Sequence, residues 1–482
     1  MPTPVWIFLI FIAAVTALFA VLAVRALTFT PRRRESHSIE HISFDSSSAV
    51  NALCEMIRCK TVSSKDHEEE SASEFLRFEE LLRTLFPRTL DTCIFERPTD
   101  RSLLLRWRGK SDSSPTVLMA HYDVVAAEES AWDKPPFDAV IENGVLWGRG
   151  TLDTKGSLNG ILSAAEILIS EGFIPENDIY FAFGGNEEIN GDGAASIVRL
   201  FEQRGITPAL VCDEGGAVVE NVFPGVKSPC ALIGIAEKGM LNVEYSVEGG
   251  GGHSSAPSPH TPVGILSAAC KRVESHPFPY HLTPPAKKML DTVGRHSTFL
   301  YKLIFANLWL FSPILNLLTK KTGGELNALV RTTTAFTQMQ GSKGMNVIPP
   351  KATMISNHRI ATPDTTESAL ERIRKTVNDE RVKIRMIDGM DPSPISTTDS
   401  EGYDRLSEAI SATWQDAIVS PYLMLACSDA RHWSRISDKV YRFSPMALSK
   451  EERATIHGNN ERIPLATVEK TVEFYLRLMR MS

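Results

Sequence analysis

Several absences narrow this sequence before any motif is read. It has no cysteine pair at metal-type C-x-x-C spacing and no N-x-[ST] acceptor site in its 482 residues. Its seven cysteines (Cys54, Cys59, Cys93, Cys212, Cys230, Cys270 and Cys427) are odd in number and scattered. That pattern speaks against a disulfide framework and lends no support to a glycosylated lumenal domain. Positive charge is not in excess either. The formal net charge is -7, the wrong sign for a nucleic-acid binder, so no nucleic-acid partner is expected. Internal repeats and long low-complexity segments are missing. Residues 1–4 hold no Lys or Arg, although a secretory signal peptide usually opens on basic residues.

The last absence matters because a long apolar run follows it. Residues 5–24 contain one polar side chain, Thr16. At about 1.5 Å per residue, a helix of that length is about enough to cross a bilayer. The favoured reading is a retained single-pass membrane anchor; the alternative is a cleaved signal peptide, whose apolar core is usually shorter. Arg25, Arg32, Arg33 and Arg34 come next and, taken alone, would keep the following chain on the cytoplasmic side. The cysteine pattern does not decide the matter, so sidedness stays open. Residues 26 to about 45 read as a polar linker.

Beyond the linker, apolar runs alternate with helical patterns. Residues 116–120, 179–183 and 209–212 are short, apolar and bounded by turn residues, as buried strands are. Helices are predicted over residues 71–86, 158–170 and 194–203. Strand–helix alternation implies an α/β sheet with mostly parallel strands. From about Gly239 the pattern changes. Strands over 351–360 and 382–387 flank a helix over 366–378, which suggests an inserted α+β domain. After Asp391-Pro392-Ser393-Pro394 the chain returns to the first domain through helices over 403–416 and 466–479. The expected divisions are 1–35 (anchor and linker), 36–238 (catalytic domain, first part), 239–389 (inserted domain) and 390–482 (catalytic domain, second part).

Four acidic or imidazole clusters stand at or just beyond predicted strand ends. They are His121-Tyr122-Asp123, the segment from Gly148 to Asp153, Glu187-Glu188 and Asp213-Glu214. His457, in Thr455-Ile456-His457-Gly458, adds a fifth. In an open α/β sheet, ligands collect outside the carboxyl ends of the strands. Carboxylates converging there repel one another, and a cation removes that cost. Histidines mixed with carboxylates suit zinc better than calcium or magnesium, which take oxygen ligands.

These residues lie in the motifs MAHYDVV, GRGTLDTKG, EEINGDGA, VCDEGG, EKG followed by GGHSSAP, LVRTTTAF, NVIPP and IHGNNERI. In that order, over residues 50–480, the set resembles the co-catalytic zinc peptidases, the family of aminoacylase, carnosinase and carboxypeptidase S. Within it, the carboxypeptidase S and N-fatty-acyl-amino-acid hydrolase/synthase branch is most similar. The resemblance implies a three-layer α/β catalytic domain with a ferredoxin-like lid or dimerisation domain inserted, two Zn2+ per subunit, and a homodimer. It implies that His121 and Asp213 bind one zinc, Glu188 and His457 the other, and Asp153 both, with a cis peptide bond after Asp153. Glu187 is then the general base and acid, and Asp123 orients His121 by accepting its other N–H. His253 stabilises the oxyanion, often from a neighbouring subunit. Arg359 pairs with a substrate carboxylate, a bidentate task, and Asn346 is a polar contact to substrate. The sequence departs from the wider family at Asn357, where Asp is usual, and at Cys427-Ser428-Asp429-Ala430-Arg431, where Asp429 and Arg431 are expected to line the site.

The implied activity is hydrolysis of N-acyl amino acids or removal of C-terminal residues from short peptides, with reverse synthesis chemically allowed. Two other classes compete. A catalytically dead protein of the same fold should have lost a ligand or Glu187, and a di-metal phosphatase should carry several basic residues at its site. The segment 299–318, rich in Phe, Leu and Ile, reads either as a core or dimer-interface helix or as the wall of a channel for a fatty acyl chain.

Overall fold

The computed structural model describes residues 3–31, 42–66, 68, 70–223 and 225–482. Arg32, Arg33, Arg34 and about half of the expected linker lie outside the described residues. A helix over Thr3–Thr28 contains the apolar run.

An eight-stranded sheet forms the body. Its order is Ile94–Thr99, Ser102–Trp107, Asn177–Gly184, Ser111–His121, Leu210–Val219, Val440–Leu448, Cys230–Glu237 and Ile418–Met424. The centre is parallel: Ser111–His121 runs with both Asn177–Gly184 and Leu210–Val219, and Leu210–Val219 runs with Val440–Leu448. Ile94–Thr99 and Ser102–Trp107 add an antiparallel edge. Side chains alternate across the pleat as a period of two requires. Leu118 and Ala120 face one layer of helices, and Val117 and Met119 face the other. The first layer includes Lys155–Ser170 and Leu465–Arg480. The second includes Gly193–Arg204, whose Phe201 stacks edge-on against Trp433. Three layers result, as the resemblance implies.

A second sheet has the order Thr333–Gln340, Lys351–Ile360, Gly239–Glu248, Lys383–Met390 and is wholly antiparallel. The helices Pro262–Ser275 and Thr366–Val377 cover it with a core of their own. Its βαββαβ order is that of a ferredoxin-like unit. Within this interval the chain also makes a detour. The helices Pro284–Arg295, Phe299–Phe305, Leu308–Thr322 and Gly324–Leu329 turn back to the body, where Pro284–Arg295 lies along the edge strand Ile418–Met424. That helix buries Ala286, Met289, Leu290 and Val293 in the body's core and covers a strand edge that would otherwise be open to pairing.

The expectation of a core helix over 299–318 is not met. Phe299–Phe305 contributes no buried residue and Leu308–Thr322 buries only Thr319. Leu300, Trp309 and Leu317 are 60% exposed or more. A channel wall would need these side chains to face an enclosed space, and they face outward instead.

Candidate metal centre

The parallel strands bring the acidic segments together because Ser111–His121 lies between Asn177–Gly184 and Leu210–Val219. His121 closes its strand opposite Gly184, and Glu187 and Glu188 lie three and four residues beyond that glycine. Asp213 and Glu214 lie on the neighbouring strand. Gly184 and Gly185 leave the space this convergence needs. A Cβ at Gly185 would come within 2.4 Å of the Tyr122 ring, and one at Gly184 within 3.0 Å of an Asp429 carboxylate oxygen.

Asp153 stands between the two histidines. Its Oδ1 is 2.9 Å from Nε2 of His121, and its Oδ2 is 2.9 Å from Nε2 of His457. Glu188 Oε2 is 3.1 Å from the same His457 nitrogen. The peptide bond after Asp153 is cis. Possible ligand atoms of His121, Asp153 and Glu188 lie within 4.8 Å of one another, as do those of His121, Glu187 and Glu214.

Two details were not legible in the sequence. The carboxylate beside His121 belongs to Glu214, whose Oε1 is 3.5 Å from Nε2. Asp213 is buried one residue earlier, and its Oδ2 accepts the Ala430 N–H at 2.8 Å. Alternation along a strand says that one of two adjacent carboxylates points each way, but it does not say which. Asp123, in turn, meets His121 chiefly through its backbone. Its carbonyl oxygen lies 2.9 Å from Nδ1, and its carboxylate 3.4 Å. The carboxylate mainly holds the next loop, accepting the N–H groups of Glu187 and Glu188 and the Ser63 hydroxyl.

Glu461 is a further functional residue that sequence reasoning passed over. It is fully buried. Its Oε1 accepts the Leu152 N–H at 2.8 Å, and its Oε2 accepts Arg149 Nη1 at 2.7 Å and the Gly150 N–H at 3.0 Å. Arg149 also donates to the Gly458 carbonyl. One carboxylate therefore ties the loop carrying Asp153 to the turn carrying His457. Its position four residues after His457 was the only signal available.

The electrostatics show what such crowding does. Burial pushes the Asp213 carboxyl up to about 6, and burial with Asp213 alongside pushes Asp429 up to about 7. Burial, with Glu214, Asp429 and Glu188 nearby, raises Glu187 well above the ordinary carboxylate range. Hydrogen bonds to Asp153 and Glu188 push the His457 imidazole up to about 10. Burial works to lower His121, but Glu214, Asp123 and Asp153 outweigh it and hold that imidazole well above its usual value. Asp123, Asp153, Glu187, Glu188, Asp213, Glu214 and Asp429 thus bring together more carboxyl groups than two imidazoles could balance if all were ionised, and the upward shifts are the mark of that excess. Glu188 Oε1 is buried with no hydrogen-bond partner among the described residues. A mixed imidazole–carboxylate set with an orphaned buried oxygen fits divalent cations.

The residues expected to meet substrate are placed differently. Arg359 lies on Lys351–Ile360, and its guanidinium donates to Cys427 Sγ at 3.4 Å, beside the Ser428–Asp429 segment that touches the cluster. Arg431 reaches the Ser428 carbonyl and the Asn190 side chain. His253 and Asn346 come together elsewhere. Gly252–His253 pairs with Val347–Ile348, and the Ser254 N–H donates to the Asn346 carbonyl at 3.0 Å. Among the described residues, no hydrogen bond or ion pair joins either of them to the cluster.

Residues 117–481 match Peptidase family M20/M25/M40. The chain belongs to this family. It is 36% identical to a probable carboxypeptidase S-like protein of Dictyostelium discoideum, over 95% of this chain and 91% of the relative. It is also 36% identical to an N-fatty-acyl-amino acid synthase/hydrolase of Xenopus tropicalis, over 98% and 94%. The M20 metallo-carboxypeptidase Sso-CP2 of Sulfolobus solfataricus shares the fold, with a TM-score of 0.67, 17% identity and coverage of 90% of this chain and 98% of that one. A dinuclear metal-binding M20 peptidase of Bacillus subtilis superposes with a TM-score of 0.52 at 11% identity, over 90% and 97%. The chain is a metallopeptidase-family hydrolase, and the family is metal-dependent.

Proposed function

We propose that this enzyme holds two zinc ions and hydrolyses the amide bond of N-acyl amino acids or of C-terminal residues in short peptides. The observation that carries the reading is Asp153, whose two carboxylate oxygens face one histidine each at 2.9 Å. A bridging carboxylate between two ligand sets has this geometry. His121 with Asp213 would hold one ion and Glu188 with His457 the other, and Glu214 stands close enough to His121 to add to the first set. Two such ions polarise an amide carbonyl and acidify water.

The chain's own groups supply the rest. Glu187 sits in the same cluster, its backbone N–H fixed by Asp123, so its carboxylate can take a proton from water and return it to the leaving amine nitrogen. Arg359 would pair two guanidinium N–H groups with the product's carboxylate, giving up its contact to Cys427. The ferredoxin-like unit acts as a lid and dimerisation surface. His253, exposed and joined to its own cluster by no hydrogen bond or ion pair among the described residues, would donate a hydrogen bond to the developing oxyanion in the neighbouring subunit.

The N-terminal helix is proposed as a retained single-pass anchor. Leu22, Ala26 and Phe29 are buried against the body, and a cleaved signal peptide has no reason to dock there. Zinc is tested by chelating the full chain in detergent and restoring activity on N-acetyl-, N-oleoyl- and dipeptide substrates. Activity that survives both full chelation and Glu187→Ala rejects the mechanism.

A further inference from the structure

The N-terminal helix does not end in solvent. Its last turns are stitched to the bend between Phe299–Phe305 and Leu308–Thr322. Arg25 donates through Nε and Nη2 to the Ala306 carbonyl, at 3.1 and 2.8 Å. That carbonyl lies at the C-terminus of a short helix, where backbone acceptors lack intrahelical partners and a cation is favoured. Asn307, fully buried, returns a bond from Nδ2 to the Leu22 carbonyl at 3.2 Å. One turn on, Arg295 donates to the Thr30 carbonyl and lies over the Phe29 ring. The point where the helix meets the body is therefore fixed.

The bent pair at that point is apolar on its outer face. Phe299 and Leu300 are 50% and 67% exposed, and Trp309, Ile314, Leu317 and Leu318 lie between 53% and 68%. On Leu308–Thr322, Ile314, Leu317 and Leu318 stand at i, i+3 and i+4 and so share one side, with Trp309 about two turns before Leu317. Behind them, Phe305 packs edge-on against Phe223 at 5.6 Å and ties the pair to the body. The two helices meet at 98°. Seven and fifteen residues give helices of about 10 and 22 Å. Set at a right angle, neither reaches across a hydrocarbon core of about 30 Å. Basic groups outnumber acidic ones at the rim: Lys302, Lys320 and Lys321 lie on the helices themselves, and Arg25, Lys287 and Arg295, the last paired with Asp291, line an adjoining groove of about 700 Å³ that Trp309 also lines.

We propose that this bent helical pair is a second membrane contact, lying in the lipid interface where the anchor leaves the bilayer. The occupant of the patch is the bilayer surface. The anchor delivers the patch to that depth, and the basic rim complements anionic headgroups. The inference rests on the retained-anchor reading above. It holds the catalytic body down at a second point, so the body does not swing freely on a tether.

The test uses the full chain reconstituted in phosphatidylcholine/phosphatidylserine vesicles. Leu300→Cys and Leu317→Cys are labelled with a fluorophore, with Phe11→Cys in the anchor and the fully exposed Met345→Cys as references. The unsubstituted chain gives the background from half-exposed Cys270 and Cys427. Quenching is read with lipids carrying a nitroxide either near the glycerol or near the chain end. An interfacial helix sinks its apolar face roughly 5–10 Å into the headgroup boundary. Labels at 300 and 317 should therefore lose more fluorescence to the shallow nitroxide than to the deep one, while 345 loses none. If 11 is quenched and 300 and 317 behave like 345, the inference falls and the anchor reading stands. Deep quenching at 317 exceeding shallow overturns it in favour of a re-entrant segment. Shielding at 317 that depends on protein concentration and not on nitroxide overturns it in favour of a second copy. An unquenched label at 11 sinks the anchor reading and the inference together.

Discussion

His121 and His253 are both single histidines in short motifs, and the structure treats them in opposite ways. His121 is 2% exposed. Its backbone N–H is bonded to Thr154, its Nδ1 to the Asp123 carbonyl, and its Nε2 faces Asp153. His253 is exposed on a strand of two residues, and among the described residues its ring hydrogen-bonds only to Ser255, two residues away. One imidazole is aimed by the sheet. The other is presented on an arm and held only by its near neighbour Ser255 among the described residues. A site built of both has a half that is complete within one chain and a half that depends on movement or on a second chain.

The sharpest way to break this contrast is to remove function from the rigid half without disturbing its frame. Glu187→Gln keeps size and backbone contacts but cannot take a proton. Its kcat should fall by about 10²–10⁴, with bound metal, measured by elemental analysis, unchanged. A loss of metal instead would make Glu187 a ligand, as its closeness to His121 and Glu214 allows.

Next in size is the frame itself. Glu461→Ala leaves Arg149 buried without its partner and frees the backbone around Asp153. Breaking a buried pair from one side costs about 3–5 kcal/mol. Thermal unfolding should show the loss, and metal affinity should fall with it because Asp153 and His457 lose their common brace. If Tm is unchanged while metal affinity drops, Glu461 positions ligands without holding the fold.

The rigid half was also the legible half. The strand ends at His121 and Gly184 follow from apolar runs bounded by turns, whereas the strand expected to stop at Cys212 runs on through Asp213 to Val219. The helices expected over 71–86, 158–170, 194–203, 366–378, 403–416 and 466–479 are present to within about three residues, as boundaries of this kind allow. Alternation could not choose between Asp213 and Glu214 because adjacent carboxylates fit either face. It could not assign Glu461, since a glutamate near a histidine carries no sign of the backbone amides it will accept. The segment 299–318 misled because apolar composition says that a surface will be covered, not by what. Beside a helix long and apolar enough to cross a membrane, lipid is one of the answers.

The exposed half should respond differently. His253→Ala should lower kcat by about 10²–10³, the range for one lost oxyanion donor, while leaving Tm and metal content unchanged, because nothing in the fold leans on it. Mixing tells which chain it serves. Co-expressed Glu187→Gln and His253→Ala subunits should recover activity that neither has alone, since a mixed dimer retains one site with both groups intact. If the mixture stays as inactive as its parts, His253 acts within its own chain and the arm must swing to reach the cluster.

Arg359→Lys should have the smallest effect and is the most informative about substrate. Lysine keeps the charge and loses the planar fork that matches a carboxylate. If Arg359 holds the amino acid's free carboxylate, KM for N-acyl amino acids should rise by about tenfold, the equivalent of about 1.4 kcal/mol, with kcat nearly unchanged. An N-acyl amino acid amide, which lacks that carboxylate, should be a poor substrate for both forms and should not distinguish them. Were the amide discriminated as strongly as the acid, the role of Arg359 would be to hold the Cys427–Asp429 segment against the cluster. Arg359 would then belong to the rigid half, even though its strand lies in the other unit.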